Sequence, residues 1–277
     1  MTMLVFTFAL SLGAFAAGLL GALTGLGGGV VIVPLLVLVF HVDIRYAIGA
    51  SLVSVIATSS GAAAAYVSEG FTNIRVGMFL EIATTLGALS GAFLAPFVPA
   101  QGLAIVFGCV LLYSAWLSRH PPGSEPDEGP DRLATALRLD GTMPSGGVLV
   151  PYHVAHVPAG FSLMYVAGVL SGLLGIGSGA VKVLAMDRAM RLPFKVSTTT
   201  SNFMIGVTAA ASAGVYLRRG YIDPAVAMPV VLGVLAGSMT GAKILTATRS
   251  DRLRAIFVWV IVVLAIEMLY NGMTGRL

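Results

Sequence analysis

Two glycine clusters, one lysine, one run of hydroxyls and one glutamate could handle a small charged molecule. Gly25-Leu26-Gly27-Gly28-Gly29 and Gly175-Ile176-Gly177-Ser178-Gly179 each stand directly before a short apolar stretch, 30–40 and 180–190. Glycine leaves backbone N–H groups open to close approach. A helix starting after it adds unpaired N–H groups and the positive end of its dipole, which favour an anion. Lys182 follows the second cluster by three residues and adds a full positive charge. Ser197-Thr198-Thr199-Thr200-Ser201-Asn202 offers consecutive donors that can coordinate an oxyanion. The first half has Ser51 and Ser54 in the matching stretch. Glu81, within an apolar run, is a candidate for carrying a proton. The expected binding set is Gly25, Gly27, Gly28, Gly29, Ser51, Gly175, Gly177, Ser178, Gly179, Lys182, Thr198, Thr199, Thr200, Ser201 and Asn202, with Glu81 as the proton-coupling group.

Each feature also has a plainer use. Gly25 with Gly29, and Gly175 with Gly179, have the spacing that simply lets helices pack closely. Lys182 can pair with a carboxylate elsewhere or reach the membrane interface. One or two hydroxyls of the run suffice to cap a helix. The matched position of the two glycine clusters tips the balance toward a site. Lys243 and Glu267 lie near span ends, and Arg75, Arg218, Arg219 and Arg249 read as interfacial anchors.

The elements that must position these residues are set by composition. Of 277 residues, 57% are hydrophobic and 10% are charged. A soluble globule carries roughly 25% charged residues. A soluble enzyme, a disordered chain and a nucleic-acid binder are therefore excluded. The net charge of +4 reads as an orientation signal for a membrane protein. Cys109 stands alone, so no disulfide forms within the chain. His153 and His156 lack an acidic or cysteine neighbour to complete a metal site. Neither a serine-protease triad, a His-Glu-X-X-His motif nor a phosphate-binding loop occurs, so no catalytic residue, metal or cofactor is expected. Residues 1–23 lack the basic start of a signal peptide and read as a mature span.

Apolar runs fall near 4–40, 46–67, 76–97, 101–118, 159–186, 196–217, 224–245 and 255–270. A proline-rich, acidic interruption separates two halves. The expected division is a first transmembrane repeat at 1–118, a connector at 119–158 and a second repeat at 159–277. A small hairpin is expected in the connector, around Asp140-Gly141 or Ser145-Gly146-Gly147. The halves match without a gap at an offset of 150. Ala17-Gly18 falls on Ala167-Gly168, Ser51 on Ser201, Tyr66 on Tyr216, Gly87 on Gly237 and Phe107 on Phe257.

Charge bias chooses the topology. With 4–40 as one span, basic residues divide evenly between the two faces. If the glycine cluster turns the chain, Arg75, Arg119, Arg132, Arg138, Arg188, Arg191, Lys195, Arg249, Arg252 and Arg254 share one side. Arg45, Arg218, Arg219 and Arg276 share the other. The second division fits the positive-inside rule and puts the connector in the cytoplasm. The expected fold is all-α: a polytopic transmembrane bundle of two inverted repeats, each with a glycine-broken helical hairpin.

The motifs Gly25-Leu26-Gly27-Gly28-Gly29-Val30 with Val33-Pro34, Gly172-Leu173-Leu174-Gly175-Ile176-Gly177-Ser178-Gly179, and Ser197-Thr198-Thr199-Thr200-Ser201 resemble both repeats of the sulfite exporter TauE/SafE family of permeases. Gly220-Tyr221-Ile222-Asp223 adds to the likeness. The resemblance covers nearly the whole chain outside the connector. It implies a permease in the bacterial inner membrane for a small sulfur-containing anion such as sulfite, sulfoacetate or another organosulfonate. The second short stretch departs from the pattern, with Lys182 and Met186-Asp187 where a more apolar run ending in proline is expected. The other readings are a cation permease using Glu81 and backbone carbonyls, and an intramembrane enzyme or accessory subunit. The expected partners are the anion and the lipid bilayer, not nucleic acid, and a homo-oligomer stays open.

Overall fold

The computed structural model describes residues 3–24, 28–68, 71–119, 131–145, 148–247 and 250–275. The first apolar run holds two helices. Helix α1 (Met3–Thr24) ends before the glycine cluster and α2 (Gly29–Pro34) begins at its last residue, widening into a π turn at Leu35–Val39. The first half continues with α3 (Ile44–Ser68), α4 (Ile74–Leu94) and α5 (Ala100–Arg119). After a short α6 (Arg132–Ala136) and two strands, the second half follows the same plan. It has α7 (Val157–Leu174), α8 (Gly179–Leu184) with a π turn at Ala185–Ala189, α9 (Phe194–Arg218), α10 (Pro224–Ala247) and α11 (Ser250–Thr274).

The offset of 150 holds for the starts of α2 and α8, α3 and α9, α4 and α10, and α5 and α11. It extends to backbone detail. Both π turns close with a wide loop bond, Val42 N to the Leu36 carbonyl and Leu192 N to the Met186 carbonyl. Both lead into a left-handed residue, His41 (φ 55°) and Arg191 (φ 56°). Pro34 precedes the first π turn and Leu184 the second, so a proline is not what widens the helix.

The helices are apolar on both faces, with the large residues outside. On α4, the buried face is Val76, Gly77, Leu80, Ala83, Thr84, Gly87, Ala88, Gly91 and Ala92. Met78, Ile82, Leu86 and Phe93 on the same helix are exposed. Small residues inside let backbones approach closely, which is how helices associate in lipid. Ile74–Phe97 and Val157–Leu174 are long and apolar enough to cross a bilayer by length and composition.

The packing pairs correspond between the halves. Helix α1 packs on α10 and α4 on α7, while α3 crosses α9 and α5 lies on α11. Glycines set the two outer pairs. A methyl group at Gly87 would collide with the Tyr165 carbonyl, and one at Gly237 with the Phe15 carbonyl. Likewise Gly168 abuts the Thr84 carbonyl and Gly18 the Val234 carbonyl. Each contact is the other's counterpart at the 150 offset.

In the connector, β1 (Gly141–Ser145) and β2 (Val148–Tyr152) pair antiparallel, from Gly141 opposite Tyr152 to Ser145 opposite Val148. This register fits the Ser145-Gly146-Gly147 alternative; Gly146 and Gly147 lie outside the described residues. The hairpin is held to the bundle by Asn73. The Asn73 carboxamide accepts from Val76 N at the start of α4 and donates to the Leu139 carbonyl (2.9 Å) and the Tyr152 hydroxyl (2.8 Å). Burial raises the Tyr152 phenol above its ordinary pKa, partly countered by that Asn73 hydrogen bond, so it stays protonated at neutral pH.

Candidate functional site

The second glycine turn meets the start of α2 between α3 and α9. Gly175 (φ 68°) and Gly177 (φ 69°) are left-handed, as is Ser178 (φ 46°), in the four residues between α7 and α8. Gly28 and Gly29 are buried, and a methyl group at Gly29 would lie 2.8 Å from Ser51 Oγ and 3.1 Å from the Gly175 carbonyl oxygen. The start of the first short helix therefore faces the second-half turn directly. Gly25 and Gly27 lie outside the described residues.

Two serines at equivalent positions hold this junction. Ser51 Oγ donates to the Gly175 carbonyl at 2.8 Å, and Ser201 Oγ donates to the Gly179 carbonyl at 3.3 Å. Ser178 is 2% exposed, and its hydroxyl has no hydrogen-bond partner among the described residues.

The hydroxyl run fans out rather than converging. Successive side chains on an α-helix point about 100° apart. Ser197 donates to the Leu192 carbonyl, Thr198 to Phe194, and Thr199 to Lys195 and Val196. Thr200 accepts from Asn73 N at 3.0 Å, which ties the helix to the connector's anchor. Asn202 is buried. Of the run, Ser201 is the member that reaches the glycine turn.

Lys182 is fully buried in the last turn of α8. Its ammonium donates to Thr208 Oγ1 at 2.5 Å, and that hydroxyl lies 2.7 Å from Glu81 Oε1. The Thr208 proton is shared between Glu81 and the Met204 carbonyl at 3.0 Å. Thr85 donates to the same Glu81 oxygen at 3.1 Å. Glu81 Oε2 is buried without a partner among the described residues. The structure thus joins two residues that the sequence places in separate roles, and it does so by the carboxylate pairing. Thr208 is the member that sequence reasoning missed. Its signal was present: it stands seven residues, about two turns, after Ser201 on the same face of α9. At the 150 offset the triad becomes Ile32, Thr58 and Val231, so each half gives one charge and the mirrored position has neither.

The remaining charges are placed as follows. Glu267 is exposed, and the Lys243 side chain lies outside what is described. Arg219 points inward, onto α4 carbonyls at Ala92 and Phe93, instead of outward as an anchor. His153 Nδ1 lies 3.6 Å from Asp140 Oδ1, and the described residues contain no group of three potential metal ligands.

Known proteins share this architecture's sequence over nearly its whole length. Residues 10–268 match the family described as "Sulfite exporter TauE/SafE". "Probable membrane transporter protein YunE" of Bacillus subtilis is 26% identical over 265 residues, covering 92% of this chain and 94% of its own. A "Probable membrane transporter protein" of Xylella fastidiosa is 26% identical over 261 residues, covering 93% and 91%. One from Methanocaldococcus jannaschii is 25% identical over 269 residues, covering 92% of each. No solved structure matches the chain. With its glycine turns, paired serines and apolar exterior, the chain belongs to the sulfite exporter TauE/SafE family, as an integral membrane transporter and not an enzyme.

Proposed function

We propose that this transporter is a multi-pass permease of the bacterial inner membrane for a small sulfur oxyanion, sulfite or an organosulfonate such as sulfoacetate. The two halves, 1–118 and 159–277, are inverted repeats, and 119–158 is a cytoplasmic connector. The anion binds near the midplane at the junction of the glycine turns. Alternating access exposes that junction to each side in turn. The observation that carries this reading is the meeting of Gly29 with the Gly175 turn, with buried Lys182 on the short helix that follows that turn. Charged side chains at such depth are expensive and mark substrate or ion pathways. Ser51 and Ser201 hold the turn carbonyls, leaving the Ser178 hydroxyl and nearby backbone N–H groups to meet the anion. Glu81, bridged to Lys182, is the coupling group: protonating its carboxylate would free the lysine charge for the anion. A cation site at Glu81 is disfavoured because Thr208, Thr85 and the lysine already face that carboxylate.

Flux of sulfite and sulfoacetate into proteoliposomes tests the reading. Wild-type protein should carry at least one of them, and Lys182→Ala and Ser201→Ala should lower flux or affinity. Unchanged flux and affinity in both variants would reject the site.

A further inference from the structure

At the end of the bundle where α3 begins and α9 ends, two arginines from opposite halves share one cleft. Arg45, Arg219, Tyr216, Tyr221, Ala92 and Pro96 line it, and as it stands it is too narrow to hold a water molecule. Neither guanidinium is paired with a carboxylate among the described residues. In the adjoining loops, Asp43 Oδ1 accepts from Arg45 N and Asp223 Oδ1 from Ala225 N, at the starts of α3 and α10. Arg219 uses Nη1 and Nη2 on the Ala92 and Phe93 carbonyls and lies 5.4 Å from the Phe93 ring centroid. Arg45 has one long bond, Nη2 to the Val98 carbonyl at 3.4 Å, and its buried Nε has no partner among the described residues. A guanidinium has five donors in a fixed fork, so both arginines keep capacity for a planar or tetrahedral oxyanion.

Two residues of the cleft lie on elements that reach the glycine junction. Tyr216, in its wall, donates its hydroxyl to the Gly172 carbonyl at 3.1 Å, three residues before the Gly175 turn. Arg45 stands six residues before Ser51 on α3, roughly 9 Å of helix. The 150 offset carries Arg45 to Lys195 but Arg219 to Glu69, so the counterpart position on the other half has a lysine and a glutamate. Two arginines without a carboxylate ion pair among the described residues therefore occur at one end of the bundle.

We propose that Arg45 and Arg219 form a capture site for small oxyanions, separate from the glycine junction and feeding it along Tyr216. The inference rests on the proposed anion permease. The cleft walls are too close to admit an anion as they stand, so binding widens the gap between the α3 start and the α9 end.

The test is equilibrium binding of sulfoacetate, with sulfate as a second probe, to the full-length protein in detergent. Arg45→Gln and Arg219→Gln should each weaken binding about tenfold, the loss of one charge-assisted hydrogen bond. Arg218→Gln, an exposed neighbour with the same charge change, should stay within about twofold, as a screened surface charge does. Arg219→Lys keeps the charge on the α4 carbonyls, serves if the glutamine variant fails to fold, and should weaken binding by losing the fork. The proposal is overturned if wild-type protein binds neither probe, if the Arg45 and Arg219 variants bind like wild type, or if Arg218→Gln weakens binding equally. Flux at saturating sulfoacetate separates the two readings. Flux without arginine-dependent binding removes the capture site alone; arginine-dependent binding without flux removes the permease reading alone.

Discussion

Lys182 and Glu81 are joined through a single hydroxyl, that of Thr208, which is hydrogen-bonded to both. The three side chains come from α8, α9 and α4, so the bridge also fixes how those elements pack. Removing either charge leaves the other in an apolar setting, whereas removing both leaves neither stranded. Lys182→Met and Glu81→Gln should therefore each destabilise the protein, and the double variant should lose less than their sum. The expected coupling is about 0.5–3 kcal/mol, read from a double-mutant cycle of unfolding in detergent.

Thr208 should matter through its oxygen and not its shape. Thr208→Val keeps the volume and removes the bridge; Thr208→Ser keeps the bridge. Flux in proteoliposomes should fall about tenfold or more for valine, the worth of a buried charge-assisted hydrogen bond. The serine variant should transport within about twofold of wild type, having kept that bond.

The left-handed turn makes Gly175 hard to replace. A Cβ there sits at φ 68° and 2.8 Å from Ile48 Cγ2, so Gly175→Ala should destabilise by roughly 1–3 kcal/mol. Gly214, in α9, has nothing within 4 Å of where a methyl group would stand, and Gly214→Ala should instead stabilise by about 0.5–1 kcal/mol. Thermal unfolding of both variants checks the opposite signs.

Asn73 should control how firmly the connector docks. Asn73→Ala removes the cap of α4, about 1 kcal/mol, together with the bonds to Leu139 and Tyr152. Limited proteolysis should then cleave the 141–152 hairpin faster, with little change in Tyr152→Phe, which retains the Leu139 bond.

Topology can be read with thiol reagents after Cys109, which is exposed, is replaced by serine. Cysteines at Asp43 and Leu149, both exposed, should label from opposite faces of the membrane. Labelling from one face would reject the inverted arrangement.

The long-range plan was legible because it is written in glycine and in apolar length. The 150 offset reappears in the matched starts of the helices, and a strand pair stands in the connector where the sequence offered a turn at Asp140-Gly141 or Ser145-Gly146-Gly147. The site was less legible because its contacts cross between halves. Nothing near Glu81 in sequence points to Lys182, about a hundred residues away, and Thr208 looks like one more helix hydroxyl. The fanning of Ser197 to Asn202 followed from helix geometry, which a count of hydroxyls ignores. Arg219 reads as an anchor because its inward orientation is set by packing on α4, not by its own neighbours in sequence.

The glycine clasps have a mechanical consequence. Gly87 seats α4 on α7 and Gly237 seats α10 on α1, and each clasp takes one helix from each half of the sequence. Backbone against backbone leaves no pliable side chain to absorb sliding. Under the proposed alternating access, the units that rock would therefore not be the two halves of the sequence. They would be two cross-stitched blocks, α1 with α10 and α4 with α7, with the hinge at α3, α9 and the short helices between them.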